Sequence, residues 1–244
     1  MRGLSAAELL EVWERGLAQG PLVRALSLLA AACPEKTLDQ LAALSIGQRD
    51  ARLLELRAAL FGPDLDAVVT CPRCGETLEL TFQTTELLSG HTPERGGEPS
   101  VSTGGYNLVL RPPNSQDLLA VGNETDPAKG QDEILKRCLV SANDGENQVE
   151  FRALSAEVLE AVGEKVAELD PLADIQMSIS CQSCQHGWRA AFDVVSFLWA
   201  EIEAWAGRIL IEVHALASAY GWRERDILDL SPARRQFYLD MVGA

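Results

Sequence analysis

The first sixty residues repeat their apolar positions at three- and four-residue intervals. Leu9, Leu10, Trp13 and Leu17 mark one stripe, and LVRALSLLAAAC, running to Pro34, marks a second. This spacing gathers apolar side chains on one side of a helix. Ser5 with Glu8, and Ser45 with Gln48 ahead of RDARLLELRAALFG, have capping-box spacing, and Leu4 with Leu9 forms a hydrophobic-staple pair. Gly20-Pro21 and Gly62-Pro63 supply the stops.

From Asp66 the period falls to two. DAVVT and ETLELTF flank a first C-x2-C pair, with Leu78, Leu80 and Phe82 on one face. DIQMSIS and GWRAAF flank a second, with Ile175, Met177 and Ile179, then Trp188, Ala190 and Phe192, alternating. Alternation on both sides predicts two hairpins with cysteines at their tips. Between them, SGHTPERGGEPSVSTGG predicts a loop, YNLVLRP a strand, and DEILKRCLVSA and SAEVLEAVGEKVAEL helices. Ser155 is the expected N-cap of the last, with Leu154 and Leu159 as its staple pair.

After Asp193 the helical period returns in Leu198, Ile202, Trp205, Ile209, Val213 and Leu216, with Gly221 as the stop. WRERDILDL predicts a short helix, and Ser231-Pro232 opens a closing one. The fold expected is α+β: helical N- and C-terminal arms (1–64 and 194–244) around a split four-cysteine zinc ribbon. Its hairpins occupy 65–82 and 174–193, and an inserted α/β module occupies 83–173.

Composition narrows the function. Hydrophobic content of 47% and charged content of 23% are those of a folded globular chain. The N-terminus has no uninterrupted apolar run, so no signal peptide is expected, and no stretch reaches the length of a membrane span. The net charge of −15 opposes binding to nucleic-acid phosphates, which draws its strength from Lys and Arg. Six cysteines without an export signal argue against a disulfide framework, and the unpaired Cys33 and Cys138 read as small buried apolar residues.

Cys71, Cys74, Cys181 and Cys184 form the candidate metal site. Two C-x2-C turns present four thiolates, the donor set that suits tetrahedral Zn2+, and Gly75 suits the tight turn. The 106 residues between the pairs exceed the roughly 15–20 of a simple zinc site, but the matching strand frames bring the pairs into one ribbon. A redox C-x2-C would open a helix in a βαβ unit, and an iron–sulfur cluster fits strand-flanked knuckles less well. A catalytic zinc needs an open position and usually mixed ligands, so His186 is a weaker fourth ligand than the thiols. Closing so long a loop costs several kcal/mol of chain entropy, against about 10–16 kcal/mol from a structural metal. The zinc is therefore expected to be structural.

No catalytic set emerges. His91, His186 and His214 lack converging partners. The Walker, Rossmann and nucleophile-elbow patterns are absent from the sequence. The chain reads as a non-enzyme without a small-molecule substrate. Tyr220, Trp222, Arg234, Arg235, Phe237 and Tyr238 cluster near the C-terminus and are of the types enriched at interface hot spots. They are the candidate partner contacts.

IGQRDARLLELRAALFGPDL leading into CPRCGE, and YGWRERDILDLSPARRQFYL, resemble baseplate and tail-assembly proteins of contractile-tailed bacteriophages and related contractile injection systems. LVLRPPNSQDLLA and DEILKRCLVSA fit more loosely. The resemblance implies a role in building a baseplate hub or tail end. Its partners would be other baseplate, hub or tail subunits. It implies residence in the bacterial cytoplasm during assembly, as a transient chaperone or as a component of the finished particle. The rival readings are a zinc-ribbon nucleic-acid-binding protein, which the charge opposes, and a zinc hydrolase, which would need an open metal site.

Overall fold

A computed structural model describes residues 1–89, 99–145 and 147–243. The expected glycine-rich loop falls largely on 90–98, so it and His91 lie outside the described residues. The chain begins with helices α1 (Ala6–Gly16), α2 (Pro21–Ala32), α3 (Leu38–Ala42) and α4 (Ile46–Phe61). A first hairpin, β1 (Asp64–Thr70) and β2 (Thr77–Gln83), leads into α5 (Thr84–Leu88). Strands β3 (Ser100–Thr103) and β4 (Tyr106–Leu110), helices α6 (Ser115–Val121) and α7 (Pro127–Cys138), strands β5 (Leu139–Asp144) and β6 (Asn147–Gln148), and α8 (Ala156–Leu169) follow. The second hairpin is β7 (Gln176–Ser180) and β8 (Gly187–Ala191), and the chain closes with α9 (Val194–Tyr220), α10 (Glu224–Leu228) and α11 (Pro232–Val242).

The chain forms two compact units, Met1–Lys36 with Leu53–Gly62 and Asp193–Ala244, and Thr37–Arg52 with Pro63–Phe192. The first unit is helical, and its axis is α9, which packs against α1, α2, α10 and α11. Ala206, Ile209, Val213 and Leu216 of α9 join Leu10, Ile227, Leu228 and Leu239 in one buried cluster. Both termini thus share one apolar core. Gly16 is a contact of close approach, since a Cβ there would lie 2.2 Å from the Trp199 ring. The Arg24 guanidinium covers the same indole at 4.3 Å. Both expected capping signals ahead of α1 and α4 are formed, Ser5 with Glu8 and Ser45 with Gln48.

The second unit holds a four-stranded sheet of order β3-β4-β5-β6. Leu108, Leu110, Leu135, Cys138, Ala142, Val158 and Val162 form its core under α7 and α8. Two details differ from the sequence reading. DEILKRCLVSA is not one helix: α7 ends at Cys138, and Leu139–Asp144 pairs with β4 as β5. The Leu139 N–H still bonds to the Leu135 carbonyl, so helix becomes strand without a linker. An available sheet edge overrides a local helical pattern here. Ser100–Thr103, expected in a loop, pairs with β4 through a turn in which Gly104 and Gly105 both have positive φ (57° and 84°). That is the backbone of a tight two-residue hairpin turn.

A buried polar network braces the same unit. Arg111 donates two hydrogen bonds to Asp117, 2.6 and 2.8 Å, while Asn114 and Asp117 form the capping box of α6. Burial raises the Asp117 pKa, but the Arg111 and Asn114 donors outweigh it and hold the carboxyl below its usual range. Asp170 accepts from the Gly47 N–H at 2.7 Å, where a Cβ on Gly47 would collide with the carboxylate.

Candidate metal centre

Each hairpin ends in a knuckle of the same backbone design. In the first, the Cys71 N–H bonds to the Glu76 carbonyl and the Gly75 N–H to the Cys71 carbonyl, 2.8 and 3.0 Å. In the second, the Cys181 N–H bonds to His186 and the Gln185 N–H to Cys181, both at 2.9 Å. The fifth residue is left-handed in both, Gly75 at φ 77° and Gln185 at φ 57°. Glycine takes that conformation without strain, whereas glutamine does not.

These turns bring together the four cysteines picked from the sequence. Their sulfurs all lie within 4.8 Å of one another. Cys71 Sγ is 3.7 Å from Cys184 Sγ and Cys74 Sγ is 3.6 Å from Cys181 Sγ, each pair crossing between hairpins. Four sulfurs about 2.3 Å from a central ion at tetrahedral angles stand roughly 3.8 Å apart. The set fits a closed metal centre. Cys71 and Cys181 are buried, Cys184 is half-buried and Cys74 faces solvent.

Electrostatics divide the thiols. Desolvation raises the Cys71 pKa, but the backbone N–H groups of Cys74 and Arg73, aided by neighbouring thiols, bring it down to about 7. At Cys74 the Glu76 N–H acts to lower the pKa, yet the sulfurs of Cys184, Cys71 and Cys181 together with desolvation push it up to about 12. Four thiols at this spacing cannot all ionise without a cation among them. His186 is outside the sulfur cluster; its ring stacks against Trp188, with centroids 6.0 Å apart.

The C-terminal candidates separate into two kinds. Tyr220, Trp222 and Tyr238 form one aromatic cluster: Tyr220 and Trp222 stack at 4.6 Å, and Tyr238 meets Trp222 edge-on at 4.9 Å. Phe237, 64% exposed, and the exposed Arg234 lie beside it. Arg235 is different. It is buried, donating to Glu212 at 2.8 Å and to the Leu230 carbonyl at 2.9 Å, so its charge braces α11 on α9 and is not on the surface. Sequence reasoning missed Glu212, because a pair 23 residues apart on two helices leaves no local signal. It also missed Gln185, which alignment of the two knuckles, CPRCG and CQSCQ, would have marked.

Four thiols gathered between two hairpin tips are geometrically compatible with a structural kind of metal centre. The family model described as T4 bacteriophage base plate protein matches residues 10–199, and the chain belongs to that family. Membership makes it a non-enzymatic baseplate or tail-assembly protein that works through contacts with other proteins. The match spans both knuckles and stops within α9, ahead of the YGWRERDILDL tail. No curated protein and no solved structure matches the chain. Among the described residues, no helix is long and apolar enough to cross a membrane.

Proposed function

We propose that this chain is a baseplate hub or tail-assembly protein of a contractile phage tail or related injection system, holding one structural Zn2+ at Cys71, Cys74, Cys181 and Cys184. The observation that carries the reading is the family match over residues 10–199. Zinc is the ion whose preferred geometry and ligand softness suit a closed four-thiolate set. In this reading the zinc ribbon clasps the inserted module at 83–173. The helical arms, 1–64 and 194–244, carry the contacts with hub or tail subunits. Tyr220, Trp222, Phe237 and Tyr238 supply the aromatic part of that contact and Arg234 its charge, with Arg235 holding the surface in place. Assembly takes place in the bacterial cytoplasm.

Quantitative mass spectrometry of purified particles beside the soluble lysate tests this. A fixed copy number in intact particles makes the chain a permanent subunit. Its presence only in soluble precursor complexes makes it an assembly chaperone. Absence from both overturns the proposal.

A further inference from the structure

A second surface of the metal-bearing unit has the form of a docking site. A cleft of about 470 Å³ is lined by Glu79–Phe82 of β2, Met177–Ser180 of β7, and Glu86 and Leu87 of α5. Four consecutive residues of each strand line it, whereas the face of a strand would contribute alternate residues only. Neither β1 nor β8 contributes to it. The cleft is therefore bordered by strand edges.

Among the described residues, β2 pairs with β1 alone and β7 with β8 alone. In an antiparallel pair, successive residues point their N–H and C=O alternately toward and away from the partner. The bonds from Cys71 to Glu76 and from Thr84 to Pro63 set the phase of the first hairpin, and those from Cys181 to His186 and from Phe192 to Ile175 that of the second. With the observed registers, Leu78, Leu80 and Phe82 bond to β1, and Met177 and Ile179 to β8. Glu79, Thr81, Ser178 and Ser180 aim their backbone groups outward. Leu80, Phe82, Leu87 and Met177 are half-buried apolar neighbours, and the charged groups in the lining are Glu79 and Glu86, both exposed and both acidic.

We propose that this cleft receives an extended, lysine- or arginine-bearing segment of a partner protein, added as a strand between β2 and β7. Backbone hydrogen bonds would supply the affinity, and the apolar neighbours and two carboxylates the selectivity. A second copy of this chain is a poor occupant, because at −15 it is itself strongly acidic. The site is separate from the C-terminal aromatic surface, so either can fail without the other.

The test uses full-length, metal-loaded protein and three pentapeptides: acetyl-KVKVK-amide, acetyl-EVEVE-amide, and the lysine peptide N-methylated on its backbone. Amide exchange followed by NMR is expected to slow at Glu79, Thr81, Ser178 and Ser180 with the lysine peptide and to stay unchanged at Leu80 and Ile179. The lysine peptide should bind about tenfold or more tightly than either control, a difference typical of complementary charge and of lost backbone pairing. Glu79→Lys with Glu86→Lys, at two exposed positions, should reverse the charge preference while leaving metal content unchanged. Failure of the lysine peptide to protect these four amides overturns the proposal. Equal binding of the N-methylated peptide overturns strand addition, and equal binding of the glutamate peptide overturns the basic occupant.

Discussion

Arg57 reaches Glu201, 144 residues further along the chain, with hydrogen bonds of 2.9 and 2.6 Å from one guanidinium. A third donor of Arg57 meets the Gly62 carbonyl at 2.6 Å, the point where the helical run from the N-terminus stops. The arginine side chain is 4% exposed and the glutamate 26%. One charge is thus taken out of water and balanced by a residue on α9.

Removing the glutamate leaves that charge buried and half-paired. Glu201→Ala should cost about 3 kcal/mol, toward the lower end for a broken buried pair because water can reach the glutamate side. Arg57→Met combined with Glu201→Ala should cost less than the sum of the singles. Urea denaturation of the four proteins measures the coupling.

Four thiolates hold a metal only when deprotonated, so binding releases protons and weakens as pH falls. Metal release into a chromogenic chelator should rise steadily from neutral pH into the acid range, with no gain in affinity on acidification. Cys74→Ser and Cys181→Ser should each reduce bound metal well below one per chain by mass spectrometry of the metal. X-ray absorption of the intact protein should report four sulfur neighbours.

The paired knuckles allow a matched comparison of backbone strain. Gly75→Ala places a side chain at φ 77° with no atom within 4 Å of the new Cβ, so its cost, about 1–2 kcal/mol, is that of the conformation alone. Gln185→Gly relieves the same strain at φ 57° and should stabilise by a few tenths to about 1 kcal/mol, since the gain is offset by glycine's greater unfolded-chain entropy. Thermal denaturation of the metal-loaded variants reads both.

Glu8 gives the helical unit a pH signature. The Arg2 guanidinium, followed by the Ser5 backbone N–H and hydroxyl, lowers its carboxyl to about 2. A carboxyl depressed on folding stabilises above its unfolded value of about 4.3, and that contribution is lost as pH falls toward about 2. Glu8→Gln should therefore be less stable than the parent at pH 6, with the gap closing across that acid window. Comparing both proteins at each pH cancels the loss of metal. Ser5→Ala, which removes the cap itself, should cost about 1 kcal/mol at neutral pH.

In the second unit, Asp117→Asn should cost about 1.5–3 kcal/mol, the range for charged hydrogen bonds. Arg111, with its side chain 34% exposed, can recover part of its solvation and limits the loss. Circular dichroism through chemical denaturation checks this value.

Local chemistry was legible wherever the determining residues are close together. Ser5 and Glu8, Ser45 and Gln48, Ser155 and Ser231 write helix starts within four residues, and Gly221 writes a stop at φ 66°. The four cysteines were legible too, because each half-site carries the same short frame. Contacts decided by distant residues were not. Leu139–Asp144 is a strand only because β4 offers an edge, and Arg235 is internal only because Glu212 stands opposite it. Thr37 and Gln40 are an exception, since they form a local capping box for α3 that the period analysis passed over.

The distance between the half-sites also sets an order of events during synthesis. Cys74, the later cysteine of the first pair, leaves the ribosome 107 residues before Cys181, an interval of roughly 5–20 s at ordinary bacterial elongation rates. Throughout it, only half of the thiol set exists. The first helical unit waits still longer, because α1 and α2 pack on α9, the last long element made. A chain that stops early therefore has neither a complete thiol set nor a closed helical core, so both units of the protein reach their final packing only when synthesis is nearly finished.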